Sequence, residues 1–314
     1  MDSFPLYQSC VLCPRNCNVD RTKGPLGFCG ESAVCRVSFI GAHFGEEPSF
    51  TGSQGSGTIF FSGCSSQCFF CQNYQISIQH DGRTITPAEF HAEVHALLLQ
   101  GVHNLNFVTP DHFWPHIKEI CRALRAEGVK VPMLFNCSGY QKKETIEDYA
   151  QWMDIFLPDF KFAEHELAKT CMRDARYPEI ALEGLREMVK LKGFLSPWDT
   201  TGARIAQQGV LVRHLVLPEH VENSLKVLTL LHEEFGPGLP LSIMSQFQPV
   251  PGCFQRKKFR RILTPEEYAQ VLDLVEKLGF EKVYTQELKG ETDFLPDFKN
   301  SQDPFLGNKI RRAE

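Results

Sequence analysis

The chain is expected to fold as an α/β protein, a partial (βα)6 barrel with a cysteine-rich N-terminal loop segment. Three observations carry this. From Ser56 onward short β-rich apolar runs alternate with longer helical patterns, as in βα units on a parallel sheet. Each apolar run ends in polar residues, as where loops converge on one barrel mouth. Of twelve cysteines, eight precede residue 72, too crowded for ordinary core packing.

The strand candidates are Thr58 to Ser62, Asn104 to Val108, Val131 to Phe135, Met153 to Leu157, Val210 to Val216 and Leu241 to Met244, with Lys282 to Thr285 as a late addition. Between them, Pro87 to Leu99 places Phe90, Val94, Leu97 and Leu98 at helical spacing after Thr86, an N-cap with proline at the first helical position. His112 to Glu127, Lys143 to Trp152, Ala163 to Met172, Tyr177 to Leu191 and Val221 to Phe235 continue the rhythm. Thr264 to Leu278 opens Thr-Pro-Glu-Glu, with acidic residues at the positive helix end. Three regions follow: a cysteine-rich metal-binding segment over 1–50, the barrel over 51–290 and a C-terminal extension over 291–314 that covers the open edge or the mouth.

At 314 residues, 42% hydrophobic and 23% charged, the chain can bury a large single core. No apolar run is long enough to span a bilayer and no secretory signal opens the sequence, so a cytoplasmic protein without a membrane partner is expected. A net charge of -5 disfavours nucleic acid. One basic run, Arg256, Lys257, Lys258, Arg260 and Arg261, is either a solvated loop or a landing site for an acidic partner.

Cys10, Cys13, Cys17 and Cys29 form Cys-x2-Cys-x3-Cys-x11-Cys among glycines and prolines, which suits tight loops around a metal. Four thiolates suit either a second, fully ligated iron–sulfur cluster or a structural zinc. Cys35 is a bystander or replaces one of the four. A second group, Cys64, Cys68 and Cys71, forms Cys-x3-Cys-x2-Cys directly after the first strand. Structural zinc and ferredoxin clusters take four protein ligands. Three thiolates on a four-iron cluster leave one iron open to a substrate or cosubstrate.

With Phe70 before the last cysteine, this loop resembles the signature of the radical S-adenosylmethionine (SAM) superfamily. The resemblance implies a [4Fe-4S] cluster on Cys64, Cys68 and Cys71, SAM as cosubstrate, and reductive cleavage to a 5′-deoxyadenosyl radical that abstracts hydrogen from a substrate. SAM needs a cation for its carboxylate, acceptors for its amino group, polar groups for the ribose and an apolar surface for adenine. At the strand ends Lys161 or Arg213 suits the carboxylate, Asp159 or Thr109 the amine, Asn136 with Ser138 the ribose, and Phe70 and Tyr74 the base. His214 is either a ligand contact or a satisfied inner histidine.

Asn136 to Tyr140, Pro158 to Lys161 and Val212 to Pro218 further resemble the pyruvate formate-lyase activating enzyme branch, and the N-terminal Cys-x2-Cys-Pro-Arg-x-Cys resembles a subgroup of its homologues. This implies Asp159, Lys161 and His214 as SAM contacts, Asn136 at the ribose, a glycyl-radical enzyme as substrate and a reduced flavodoxin or ferredoxin-type donor. The branch usually carries Gly-Gly-Glu after the second strand, where this chain reads Phe107-Val108-Thr109-Pro110-Asp111, so the amine contact falls to Thr109 or backbone carbonyls. The rival readings are radical modification of another peptide or a small molecule, a non-enzymatic iron–sulfur electron carrier, and a zinc-stabilised binding module. Cys121 and Cys171 read as buried helix thiols and Cys253 as a loop thiol. His91 and His95, four apart, read as a solvent face, and His103, His112 and His116 show no ligand spacing.

Overall fold

The computed structural model describes residues 4–24, 26–288, 295–300 and 303–305. Its strands are β1 (Arg36–His43), β2 (Ser56–Phe61), β3 (Arg83–Thr84), β4 (Leu105–Val108), β5 (Met133–Cys137), β6 (Ile155–Pro158), β7 (Gly209–Val210), β8 (Val212–Leu215), β9 (Leu241–Met244) and β10 (Val283–Thr285). The helices are α1 (Pro48–Thr51), α2 (Tyr74–Ser77), α3 (Pro87–Leu98), α4 (Trp114–Ala126), α5 (Lys143–Tyr149), α6 (His165–Met172), α7 (Tyr177–Lys192), α8 (Val221–Phe235) and α9 (Pro265–Lys277).

One sheet runs β3-β1-β2-β4-β5-β6-β7 and a second runs β10-β9-β8. From β2 to β7, and from β8 to β10, neighbouring strands are parallel. A parallel bridge between Asp159 and Arg213 joins the two, with the Phe160 amide donating to the Arg213 carbonyl at 2.7 Å. The expected single strand from Val210 to Val216 is therefore split: β7 pairs with β6, and after Leu211 the chain passes to β9. The fold is the expected α/β partial barrel.

β1 is absent from the sequence expectation. It pairs antiparallel with β2, Ile40 opposite Ile59 and His43 opposite Ser56, and closes that edge of the parallel wall. Its apolar alternation is short and is broken by a register shift between Val37 and Phe39.

Every residue of β2 is buried, because β1 and β4 flank it and both faces are covered. Ile59, Phe61, Leu105 and Phe107 face Phe90, Val94 and Leu97 of α3 and Ile117 and Leu124 of α4. On the opposite face, Phe60 and Val108 meet Phe39, Ile76 and Phe298. Phe298 and Phe305 of the extension stack on Phe60 at 5.3 and 5.4 Å, so its described part lies on the inner face of β1 and β2; residues 289–294, 301–302 and 306–314 lie outside the described residues.

Both helix starts read from Thr-Pro signals carry a full capping box, Thr86 with Glu89 and Thr264 with Glu267. Two buried histidines add a pH dependence. Desolvation brings His112 down to about 3 and His214 down to about 4. An unfolded chain takes up their protons near pH 6.5 while the native chain does not, so stability falls as pH drops from about 6.5 towards 4. Roughly 2 kcal/mol per histidine should be lost by pH 5. Urea unfolding should show a shallower loss for His214→Gln; an unchanged loss would remove His214 from the account.

Candidate SAM and cluster site

The loop after β2 is fixed on every side before any cofactor is considered. Gly63 takes φ 77°, its amide donating to the Ile76 carbonyl at 2.9 Å; a Cβ there would stand 2.8 Å from the Cys29 carbonyl oxygen. The Ser66 amide donates to Cys64 Sγ at 3.3 Å, and the Phe69 amide to the Cys171 carbonyl at 3.2 Å. Arg15 braces the loop from outside, Nε donating to the Ser65 carbonyl at 3.0 Å and Nη2 to the Met172 carbonyl at 2.5 Å.

Cys64 and Cys68 are buried and Cys71 is partly so. Desolvation raises all three thiols, Cys68 to about 12, with the Lys161 ammonium opposing the shift at Cys68 and Cys71. Without a metal they stay protonated; with one, a cation already stands beside two of them.

The strand ends supply polar groups around this loop. Lys161 Nζ pairs with the Asp159 carboxylate, and both side chains are largely buried. The Asp159 charge and the thiols hold the Lys161 ammonium protonated against its desolvation. Ser138 Oγ accepts from Ser66 Oγ at 2.7 Å, tying the end of β5 to the cysteine loop. Tyr177 locks the ends of β5 and β6: its hydroxyl meets the Ser138 carbonyl at 2.9 Å and accepts from the Lys161 amide at 2.9 Å. Gly139 allows this approach, since a Cβ would stand 2.0 Å from the Asp159 carbonyl oxygen. Asn136 is partly exposed on β5, and Thr109 holds a left-handed φ of 52° with its amide on the Asn136 carbonyl at 2.8 Å. Gln246, after β9, donates to Gln72 at 3.1 Å. Phe70 is buried among Phe69, Phe162, Phe247 and Phe259.

Arg213 and His214, expected together at the rim, lie within β8 instead. Adjacent strand residues face opposite sides, so they cannot share one site. The Arg213 guanidinium is held between the carboxylates of Glu46 and Glu47. His214 is fully buried on the helix side, Nδ1 at 2.6 Å from the Phe160 carbonyl and Nε2 at 2.9 Å from Ser224 Oγ.

Asp111 is the group the sequence analysis passes over. It has no exposure, and neither carboxylate oxygen makes a hydrogen bond of ordinary length, the Ser65 hydroxyl being the nearest side-chain donor. Desolvation raises its carboxyl against the opposing pull of Ser65 and of the Arg21 guanidinium, and its charge acts on Cys64 and Cys13. A buried carboxyl beside the cysteine loop, with the Arg21 guanidinium as the cation acting on it, is a group that an incoming cation could pair with. Its position two residues after Thr109, in place of the missing Gly-Gly-Glu, is the signal that could have found it.

Elsewhere, Arg256 stacks on Phe69 at 4.0 Å and Phe259 packs against Phe69 and Phe70, which carries the basic run beside the cysteine loop. Arg256, Lys257, Lys258 and Arg260 are exposed, whereas Arg261 pairs with Glu267. Cys121, Cys171 and Cys253 are buried, Cys253 in a short helical turn after β9. His91 and His95 share Glu127 at 2.7 and 2.6 Å, joining α3 to the end of α4.

The three cysteines thus lie on the loop leaving the first parallel strand of a partial barrel. Residues 58–195 match the model of the radical SAM superfamily. The chain is 27% identical over 288 residues to the uncharacterized protein MJ0674 of Methanocaldococcus jannaschii, covering 89% of this chain and 78% of that one. Among solved structures, methylornithine synthase (PylB) aligns with a TM-score of 0.51 at 13% identity over 79% of this chain and 77% of its own, a likeness of fold. Streptococcus suis SuiB bound to S-adenosylmethionine aligns with a TM-score of 0.47 at 11% identity over 71% of this chain and 48% of its own. Among the described residues no helix is long and apolar enough to cross a membrane.

Proposed function

We propose that this chain is a radical SAM oxidoreductase of the pyruvate formate-lyase activating enzyme kind, acting on a peptide segment of a glycyl-radical enzyme. The reading rests on one observation: the buried Cys64-Cys68-Cys71 loop lies beside the Asp159–Lys161 pair at the carboxyl ends of parallel strands. When bound, the cluster and SAM supply a one-electron cleavage to methionine and a 5′-deoxyadenosyl radical, which takes a hydrogen atom from the substrate.

The protein's share is placement. Cys64, Cys68 and Cys71 hold the cluster. Lys161, kept protonated by Asp159, faces the SAM carboxylate, while Asp111 with Thr109 takes the amino group. Asn136 and Ser138 would address the ribose, and Phe70 would supply an apolar surface for the adenine. Holding SAM in one pose replaces a random encounter with an oriented one and keeps water from the radical. The basic run beside the loop supplies charge for an acidic donor of the flavodoxin or ferredoxin type, or for an acidic substrate segment.

Anaerobically reconstituted protein given dithionite and SAM should form 5′-deoxyadenosine, and adding the partner enzyme should produce a partner-dependent glycyl-radical EPR signal. Absence of 5′-deoxyadenosine from iron-replete protein would reject the radical assignment. Cleavage with no signal from the partner would reject the glycyl-radical substrate alone.

A further inference from the structure

The N-terminal segment surrounds a buried cation that no carboxylate among the described residues contacts directly. Arg21 is 1% exposed and forms no ion pair with a carboxylate among the described residues. Its guanidinium donates to the carbonyls of Glu31 at 3.0 Å, His112 at 2.6 Å and Ser32 at 2.7 Å, and Nη1 reaches Cys10 Sγ at 3.8 Å. It stacks on Tyr7 at 4.5 Å. Carbonyl dipoles satisfy the donors but leave a full positive charge in a dry interior, which costs several kcal/mol unless an anion stands close. The groups near it that can become anionic include the thiols of Cys10 and Cys29, the Tyr7 hydroxyl and the Asp111 carboxyl.

The backbone sets Cys10 and Cys29 by that cation and Cys13 by those two thiols. The Cys10 amide and carbonyl bond with Val19 and Asn18, closing a loop over Cys13 and Cys17. Asn16 and Asn18, at φ 46° and 54°, turn the chain inside it. The Phe28 amide donates to Cys17 Sγ at 3.3 Å, setting Cys17 beside the turn that carries Cys29. Cys10, Cys13 and Cys29 are buried.

Sulfur spacing favours an iron–sulfur cluster over zinc. A tetrahedral zinc with Zn–S of about 2.3 Å brings its sulfurs within about 4 Å of one another. Among the described residues, the group of three or more ligand atoms within 4.8 Å of one another is His91, His95 and Glu127; no three cysteine sulfurs meet that spacing. Cluster thiolates sit on different irons and stand further apart.

We infer that Cys10, Cys13, Cys17 and Cys29 hold a second, fully ligated four-iron cluster, with Arg21 as its buried counter-charge. Arg15, between Cys13 and Cys17, stacks on Phe28 at 3.7 Å and grips the Ser65 carbonyl, so this centre is docked directly onto the barrel's cysteine loop. The inference does not depend on SAM chemistry at the barrel.

Full-length wild type, reconstituted anaerobically with iron, sulfide and competing zinc, should carry about eight irons per chain, and Cys13→Ser about four. The variant lacking Cys64, Cys68 and Cys71 should keep about four irons and, once reduced, an EPR signal unaltered by SAM. Arg21→Gln should make the midpoint potential of that signal more negative, since a buried positive charge favours the reduced state. Wild type with about four irons, unchanged by Cys13→Ser, would overturn the inference, as would zinc retained at the N-terminal set. If the triple variant precipitates, the iron counts of wild type and Cys13→Ser decide.

Discussion

Cys64→Ala should reduce 5′-deoxyadenosine formation to the level of a reaction without protein, although the substitution removes a single buried sulfur. Cys64 is the first of the three thiols on the loop leaving β2, and alanine offers nothing to replace it as a ligand. The surrounding bonds, Gly63 to Ile76 and Arg15 to Ser65, are backbone-directed and survive the change. Loss of activity would therefore report ligation and not collapse of the loop. Cys121→Ala is the control: that thiol is buried too, in α4, near Asp154 at the amino end of β6. It should cost about 1 kcal/mol of stability and leave cleavage intact. Equal loss in both variants, or cleavage retained by Cys64→Ala, would sink the assignment of Cys64.

The two cysteine variants behave differently for the same reason that the site was partly legible in sequence. A ligand loop is local: Cys64, Cys68 and Cys71 declare themselves by spacing alone, and the parallel wall by its repeated apolar runs. Asp159 and Lys161 follow, because a strand end projects its next residues to the mouth whatever the rest of the chain does. Non-local groups were hidden. Asp111 looks like an ordinary turn residue until burial leaves both its oxygens without a hydrogen bond of ordinary length. β1 is visible only once β2 is seen to need a partner on its outer edge. Arg213 and His214 were misplaced because a run from Val210 to Val216 does not show where the strand breaks, and one residue of register decides which face a side chain takes. The partner of Arg213, over 160 residues away in sequence, could not be read at all.

That distant partnership should carry a large stability effect. Arg213→Met should destabilise the protein by about 3–5 kcal/mol, because it leaves Glu46 and Glu47 as buried carboxylates without a cation. In the native chain desolvation pushes the Glu47 carboxyl up, and Arg213 overcomes this and holds it below the usual carboxylate range. Without the guanidinium, desolvation wins and the folded-state value rises above the unfolded one. A group raised in this way lends stability below its unfolded value and loses it as pH climbs through the folded value. The deficit of Arg213→Met should therefore shrink on acidification below about pH 5 and be greatest near neutrality. Adding Glu46→Gln and Glu47→Gln should recover part of the loss at pH 7, since neutral amides carry no buried charge. Denaturant unfolding of wild type, Arg213→Met and the triple variant across pH measures all three. A deficit that stays constant with pH, or one that the glutamine pair does not reduce, would show that Arg213 stabilises the barrel by packing its methylenes and not by neutralising these two carboxylates.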